Sequence, residues 1–355
     1  MKDKLDILLM GASYGSLLGA KLLMAGHNVT FVCLPVEADL INSDGIRVRL
    51  PLRGRDEPVE VHSANLAGAC NAAGPGSVDP AKFDLVGLAM QEPQYGSPGV
   101  AELLDKVAKA GVPCMSIMNM PPLPYLKRIP GIDTSSLLDC FTAPEVWQSF
   151  DPALVTLCSP DPQAVRPPDE PANVLRVGLP TNFKVARFED DAHTAILKRL
   201  QDDILAARYK VDGVMTELPV KLKLHQSLYV PFAKWSMLLA GNYHCVRPDG
   251  AVSIRDAVHG DLAKSRAIYE WVDELVQSLG AAPEDKVPFE KYANAALSLL
   301  NPSSAARALN NGAKNIERVD RLVQKIAAQR GMTLDAVDET VKTVDARLAQ
   351  NRAAG

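Results

Sequence analysis

Aromatic residues make up only 5% of the chain, too few for the stacking platforms that single-strand nucleic-acid binders use. Positive charge is not in excess either: 38 Lys and Arg stand against 42 Asp and Glu, a formal net charge of −4. Nucleic-acid binding normally rests on a basic surplus, and this balance argues against it. Long apolar runs are also missing, with no stretch near the roughly 18 uncharged residues a membrane span needs. Asp6 and Lys21 interrupt the one N-terminal run that could imitate a secretory signal. The six cysteines (Cys33, Cys70, Cys114, Cys140, Cys158 and Cys245) form no Cys-x-x-Cys pair. That scatter excludes a disulfide scaffold or a structural zinc site and predicts reduced thiols in a cytoplasmic protein. No Gly-x-x-x-x-Gly-Lys-Ser/Thr loop and no His-Glu-x-x-His pair is present, so neither a triphosphate loop nor a zincin site is expected. His244 and Cys245 are adjacent, a poor spacing for a chelate, and no metal is predicted.

What is present is a soluble globular composition, 47% hydrophobic and 23% charged over 355 residues, long enough for two domains. The first apolar run, Leu5–Met10, is too short for a helix and suits a buried strand. A small-residue turn over Gly11–Ser16 follows, then Leu17, Leu18, Leu22 and Leu23 at helical spacing, with Gly26 as a stop signal. Val29–Leu34 reads as a second strand. Strand, glycine turn, helix and parallel strand within about thirty residues open a Rossmann-type sheet. Strands over 83–90, 112–118 and 174–177 and helices over 98–110 and 190–207 continue the alternation. Five prolines in 159–172 mark a surface connection. From about residue 214 strand-like runs vanish, and helices are expected over 216–241, 252–279, 288–300 and 315–350. The fold class is therefore α/β, an N-terminal Rossmann-type parallel-sheet domain (1–213) followed by a C-terminal all-helical domain (214–355) for substrate and dimerisation, with a cleft between them.

The turn is a departure from Gly-x-Gly-x-x-Gly, in which glycines make the turn, admit the pyrophosphate and let helix and strand pack closely. Anchored on Gly15 it offers Met10, Ala12 and Gly15; anchored on Gly11 it offers Gly11, Ser13 and Ser16. The helix start over Gly11, Ala12, Ser13, Tyr14 and Gly15 would still turn backbone amides toward an anion. After the second strand come Cys33-Leu34-Pro35, neither the acidic residue of a 2′-hydroxyl site nor the arginine of a 2′-phosphate site, with Glu37 slightly beyond. A Rossmann-shaped domain that binds no dinucleotide is the competing reading. Gly11-Ala12-Ser13-Tyr14-Gly15 also spells a nucleophile elbow, but hydrolases place several strands before theirs.

In Gly15-Ser16-Leu17-Leu18-Gly19-Ala20-Lys21-Leu22, Gly26-His27-Asn28-Val29-Thr30-Phe31-Val32 and Asp39–Val48, the chain resembles the ketopantoate reductase (2-dehydropantoate 2-reductase) family. That resemblance implies NADPH-dependent reduction of a 2-oxo acid. It implies a cleft asparagine in the word Leu-Gln-Asn-Gly, here Ile117-Met118-Asn119-Met120. It also implies a lysine in the helix word Lys-Leu-x-x-Asn-x-x-x-Asn. The best correspondence is Lys221-Leu222, with Lys223 as competitor, and the two asparagines become His225 and Tyr229. On a helix these residues, four apart, share one face. The family's late serine and glutamate correspond to Ser303 or Ser304 and, with a one-residue slip, to Glu317; without the slip Asn315 or Ile316 stands there. A bland alternative for the serines is a helix N-cap, and for Asn119 a turn former. Gln91 stands where many relatives carry a lysine near the cofactor phosphates, which with Leu34 removes two positive charges and leaves NADP against NAD open.

The expected chemistry is hydride transfer to a carbonyl, with Lys221 as proton donor or oxyanion partner, His225 sharing that load and Asn119 holding substrate or nicotinamide ribose. Glu317 completes the catalytic set; Tyr229, Ser303 and Ser304 would bind substrate, and Arg307 could hold a carboxylate. The partner is a small carbonyl compound, and a homodimer is compatible with the helical half. Two other readings compete: a non-redox enzyme using Lys221 and His225 for acid–base work such as C–C cleavage or isomerisation, and a non-catalytic binding protein.

Overall fold

The computed structural model describes residues 2–159 and 163–354, so Pro160 and Pro162 of the proline-rich connection lie outside the described residues. The chain divides into two compact units. The first runs up to Met90 and takes in Gln94–Met118 and Val146–Gln226; the second gathers Gln91–Pro93, Asn119–Glu145 and the chain from Ser227 onward.

The first unit is built on an eight-stranded sheet. In spatial order its strands are Cys70–Ala73, Asn28–Val32, Asp6–Met10, Leu85–Leu88, Cys114–Ser116, Val155–Ser159, Phe183–Ala186 and Leu222–His225. Taken in chain order along this sheet, the first six run 3-2-1-4-5-6, the doubly wound order of a dinucleotide-binding fold. All five pairings among them are parallel. Phe183–Ala186 then joins antiparallel, and Leu222–His225 pairs parallel to it. Strands such as Ile7–Met10 and Leu85–Leu88 are buried throughout, because helices cover a parallel sheet on both faces. The helix Ala12–Met24 packs on this sheet and begins directly after the first strand, earlier than its leucine spacing suggests. A second sheet of Arg47–Leu50, Val59–His62, Gln163–Val165 and Val174–Leu179 is a feature the sequence reading missed, apart from its 174–177 strand. The helices Val100–Ala110 and Asp191–Ala206 stand where the periodicity puts them.

The expected helix over 216–241 is the main correction. It begins at the last residue of a hairpin, Tyr209–Val211 with Val214–Thr216, and its first half holds the edge strand Leu222–His225 instead of helix. Leu222 is buried, Lys223 exposed and Leu224 half-buried, a two-residue alternation. Pro219 and Pro231 bracket this stretch, and each removes an amide a helix would need. Because Leu222–His225 pairs with Phe183–Ala186, the residues through Gln226 group with the first unit.

The second unit is helical. Its helices are Leu123–Leu126, Ala233–Met237, Ile254–His259, Leu262–Ser278, Phe289–Ala296, Ser304–Asn310, Val319–Gln329 and Asp335–Ala353, with a π-helical stretch over Leu238–Tyr243. The long expected helices over 252–279 and 315–350 are each two helices, interrupted around Gly260 and Gly331. No helix among the described residues is long and apolar enough to cross a membrane.

Candidate active site

In the first unit the point where the strand order reverses lies between Asp6–Met10 and Leu85–Leu88, the place where ligands enter open α/β sheets. Gly11 stands there with φ +107°, and a Cβ on it would meet the Ala89 carbonyl oxygen at 2.8 Å. Only glycine fits. Gly15, one turn on, brings helix against strand: a Cβ there would lie 3.4 Å from the Ala89 Cβ. The helix Ala12–Met24 has no side-chain cap at its start, and Ser13 is exposed and Tyr14 half-exposed. This uncapped turn, with glycine where a side chain would clash, fits a dinucleotide pyrophosphate despite the incomplete fingerprint. Beyond the second strand Leu34 is 74% exposed, and Glu37 is ion-paired with Arg166. Arg166 thus brings a cation near Cys33 that local sequence does not supply.

The titratable cluster belongs to the second unit and centres on Glu317. This carboxyl is buried, accepts a hydrogen bond from the Glu92 amide at 3.3 Å and is hydrogen-bonded to the Asn119 side chain. Burial pushes its pKa up to about 7, against the opposing pull of the Asn119 and Glu92 bonds and the Lys234 charge. The backbone around it is fixed. The Tyr243 hydroxyl donates to the Glu317 carbonyl and accepts from the Val319 amide at 3.1 Å. Next in sequence, Arg318 forks onto Asp320 at 3.0 and 2.9 Å. Glu92 is itself buried, its carboxylate taking the Thr142 amide at 2.9 Å and the Thr142 hydroxyl at 3.0 Å. Burial raises the Glu92 pKa as well.

Glu317, Asn119 and Tyr243 border a small pocket that opens to solvent. Its polar walls are Gln91, Asn119, Asn242, Ser304 and Glu317, and its apolar walls are Leu238, Ala305, Ala308 and Ile316, with Tyr243 alongside. Leu238 and Asn242 project from the π-helical stretch that continues the helix carrying Lys234. Such wide turns often mark functional sites.

The structure thus brings together Asn119, Gln91, Ser304 and Glu317, and Glu317 is the residue the one-residue slip selects. It does not bring the others there. Lys221 lies in the first unit, its ammonium 2.6 Å from Glu217 and its amide 2.9 Å from the Asn182 side chain. Beside it Lys21 is buried, donates to the Leu218 and Pro219 carbonyls, and is pushed down to about 8, mainly by burial. His225 also lies in the first unit, where its carbonyl accepts from the Arg187 amide at 3.0 Å. Their shared helix face does not exist, since a strand spans them. Tyr229 donates to the Leu279 carbonyl at 2.7 Å and is absent from the pocket walls. Ser303 is an N-cap, accepting from the Ala306 amide at 3.1 Å and donating to the Asn242 carbonyl at 2.6 Å. Arg307 is exposed and donates to the Pro302 carbonyl at 2.6 Å.

Lys234, Leu238 and Asn242 were missed. A signal for them was in the helix word itself. Lys234 and Asn242 stand eight apart, as its lysine and second asparagine do, with Leu238 in place of the first asparagine.

A doubly wound unit followed by a helical unit is the fold class of the ketopantoate reductases, and solved structures of that class match this chain from end to end. A probable 2-dehydropantoate 2-reductase from Bacillus subtilis aligns at TM-score 0.63 and 16% identity, covering 97% of this chain and 100% of its own. The 2-dehydropantoate 2-reductase from Methylococcus capsulatus aligns at 0.66 and 13%, covering 98% of each chain. D-mandelate dehydrogenase, in a ternary structure with NADH and anilino(oxo)acetate, aligns at 0.64 and 14%, covering 98% of this chain and 99% of its own. No protein-family model matches the chain, and no curated protein matches it in sequence.

Proposed function

We propose that the protein is an NAD(P)H-dependent reductase of a small 2-oxo acid, with Lys234, Asn119 and Glu317 as its working residues. The observation that carries this reading is the buried Glu317 carboxyl, bonded to Asn119 and within electrostatic reach of Lys234, on the wall of a small polar-lined pocket. Reductases and a dehydrogenase with the same fold, one of them in a structure with NADH, support the class of reaction.

A bound reduced nicotinamide supplies the hydride, and its pyrophosphate would be held at Gly11–Gly15. The chain's own residues handle charge and protons. As the carbonyl oxygen gains negative charge, the Lys234 ammonium stabilises it and delivers the proton. Asn119, anchored on Glu317, orients the oxo acid. Glu317, pushed up to about 7, can exchange a proton near neutral pH and restore the charge on Lys234. Asn242 and Ser304 offer further donors to the substrate carboxylate. The non-redox reading drew on Lys221 and His225 as a cleft pair, and neither lines this pocket.

Calorimetric titration with NADH and with NADPH tests the reading, followed by loss of reduced-cofactor absorbance over a panel of 2-oxo acids. Binding of one cofactor and turnover of at least one oxo acid are expected. Absence of binding to either would overturn the proposal.

A further inference from the structure

The chain just past the strand Asn28–Val32 carries two features that the proton chemistry does not use. Leu34 and Val36 are 74% and 82% exposed, the two most exposed large hydrophobic side chains among the described residues. Large apolar side chains left this open together mark a surface that a ligand or partner covers. Next to them in sequence, the Glu37 side chain is only 13% exposed, and its Oε1 accepts a hydrogen bond from Nη2 of Arg166. Arg166 follows the strand Gln163–Val165 of the small second sheet, so tertiary structure sets this pair. Both charges act on the Cys33 thiol, one residue beyond the second strand. Arg166 thus fixes one carboxylate oxygen, while the other, Oε2, makes no hydrogen bond among the described residues.

Three neighbouring parallel strands of the first unit, Asp6–Met10, Asn28–Val32 and Cys70–Ala73, end on this side of the sheet. The segments that follow them, 11–16, 33–40 and 74–77, hold two acids, Glu37 and Asp39, and no lysine or arginine. Arg166 is the cation that the fold adds, and Glu37 already matches its charge. Glu37 also stands about twenty residues past the glycine turn, where a doubly wound fold places the acid that holds a ribose 2′-hydroxyl. Resting on the reductase reading, we infer that the cofactor is NADH, selected by Glu37, with Arg166 as the residue that positions its carboxylate. Oε2 would accept the adenosine 2′-hydroxyl in a charge-assisted bond, and the adenine ring would cover Leu34 and Val36, apolar surface on apolar surface. A 2′-phosphate in the same place would bring about two negative charges against Glu37 and Asp39.

Calorimetric titration of the full chain, with no substrate present, tests this. NADH should bind at least about tenfold more tightly than NADPH, since the 2′-phosphate exchanges a charge-assisted bond for a like-charge contact. ADP-ribose should bind more tightly than 2′-phospho-ADP-ribose in the same order, which locates the preference at the adenosine end because neither carries a nicotinamide. Glu37→Gln keeps the shape of the side chain and removes its charge. It should bring the two affinities within about threefold of each other, chiefly by letting Arg166 pair with the 2′-phosphate of NADPH. Arg166→Ala should weaken NADH severalfold, because the carboxylate loses its anchor. A thermal melt shows whether each variant is folded, and the wild-type ratio is decisive without them. Equal or tighter binding of NADPH by the wild type would overturn the inference and leave the reductase reading intact, as would an unchanged ratio in folded Glu37→Gln. No binding of either dinucleotide would overturn both.

Discussion

Glu317→Gln should change how stability depends on pH more than it changes stability at acid pH. In the folded protein this carboxyl is raised from 4.5 to about 7, first by burial. Between those values the native state holds a proton that the unfolded chain has released, so stability falls as pH rises. At about 1.36 kcal/mol per pH unit, the penalty grows to about 3 kcal/mol once the pH passes the folded value. Glutamine keeps an acceptor for the Glu92 amide and a partner for Asn119 but cannot ionise. The variant should therefore match the wild type near pH 4 and exceed it by up to about 3 kcal/mol near pH 8. For a domain of this size that difference corresponds to roughly 6–12 °C in Tm. Urea melts at several pH values, followed by tryptophan fluorescence, measure it directly. Parallel pH profiles for the two proteins would refute the reasoning, since they would mean that Glu317 titrates alike folded and unfolded.

Three other perturbations separate the groups by role. Lys234→Met should cost about a hundred- to ten-thousandfold in kcat, the usual range for a general acid. Lys221→Met removes only a surface pair with Glu217, both partners more than a third exposed, and should leave kcat unchanged and stability within about 1 kcal/mol. Gly11→Ala should destabilise by on the order of 1–3 kcal/mol through strained backbone and abolish cofactor binding in calorimetry, given the 2.8 Å approach to the Ala89 carbonyl. Tyr243→Phe leaves the Glu317 carbonyl and the Val319 amide without their shared hydroxyl. It should cost about 1–3 kcal/mol in denaturation and lower kcat with little change in cofactor affinity.

What could be read from sequence follows from which signals are local. Strand, glycine turn, helix and strand lie within the first thirty or so residues, and each is set by neighbours in sequence, so the Rossmann opening was legible. The small second sheet was not, because Arg47–Leu50 pairs with Val174–Leu179 across more than a hundred residues of chain. Asn119 was legible from its place after a buried strand, and Glu317 only through a gap in the family resemblance. Its burial depends on Tyr243, Arg318 and Asp320, none of which carries a local signature of that role.

The lysine shows most clearly how a motif can mislead when its period is assumed. Lys221, His225 and Tyr229 share a helix face only if a helix spans them, and that reading needed two substitutions in the family word. The residues between argued otherwise: Leu222 and Leu224 alternate with Lys223 and His225, which is the pattern of a strand. Pro219 lies two residues before this run, and Pro231 lies inside the expected helix. At Lys234 the same word keeps its lysine and second asparagine, and no proline interrupts the nine residues from Lys234 to Asn242. Helix compatibility therefore had to be weighed before the letters were matched. Weighed so, the word falls on Lys234, with Trp235 and Leu238 as its two altered letters.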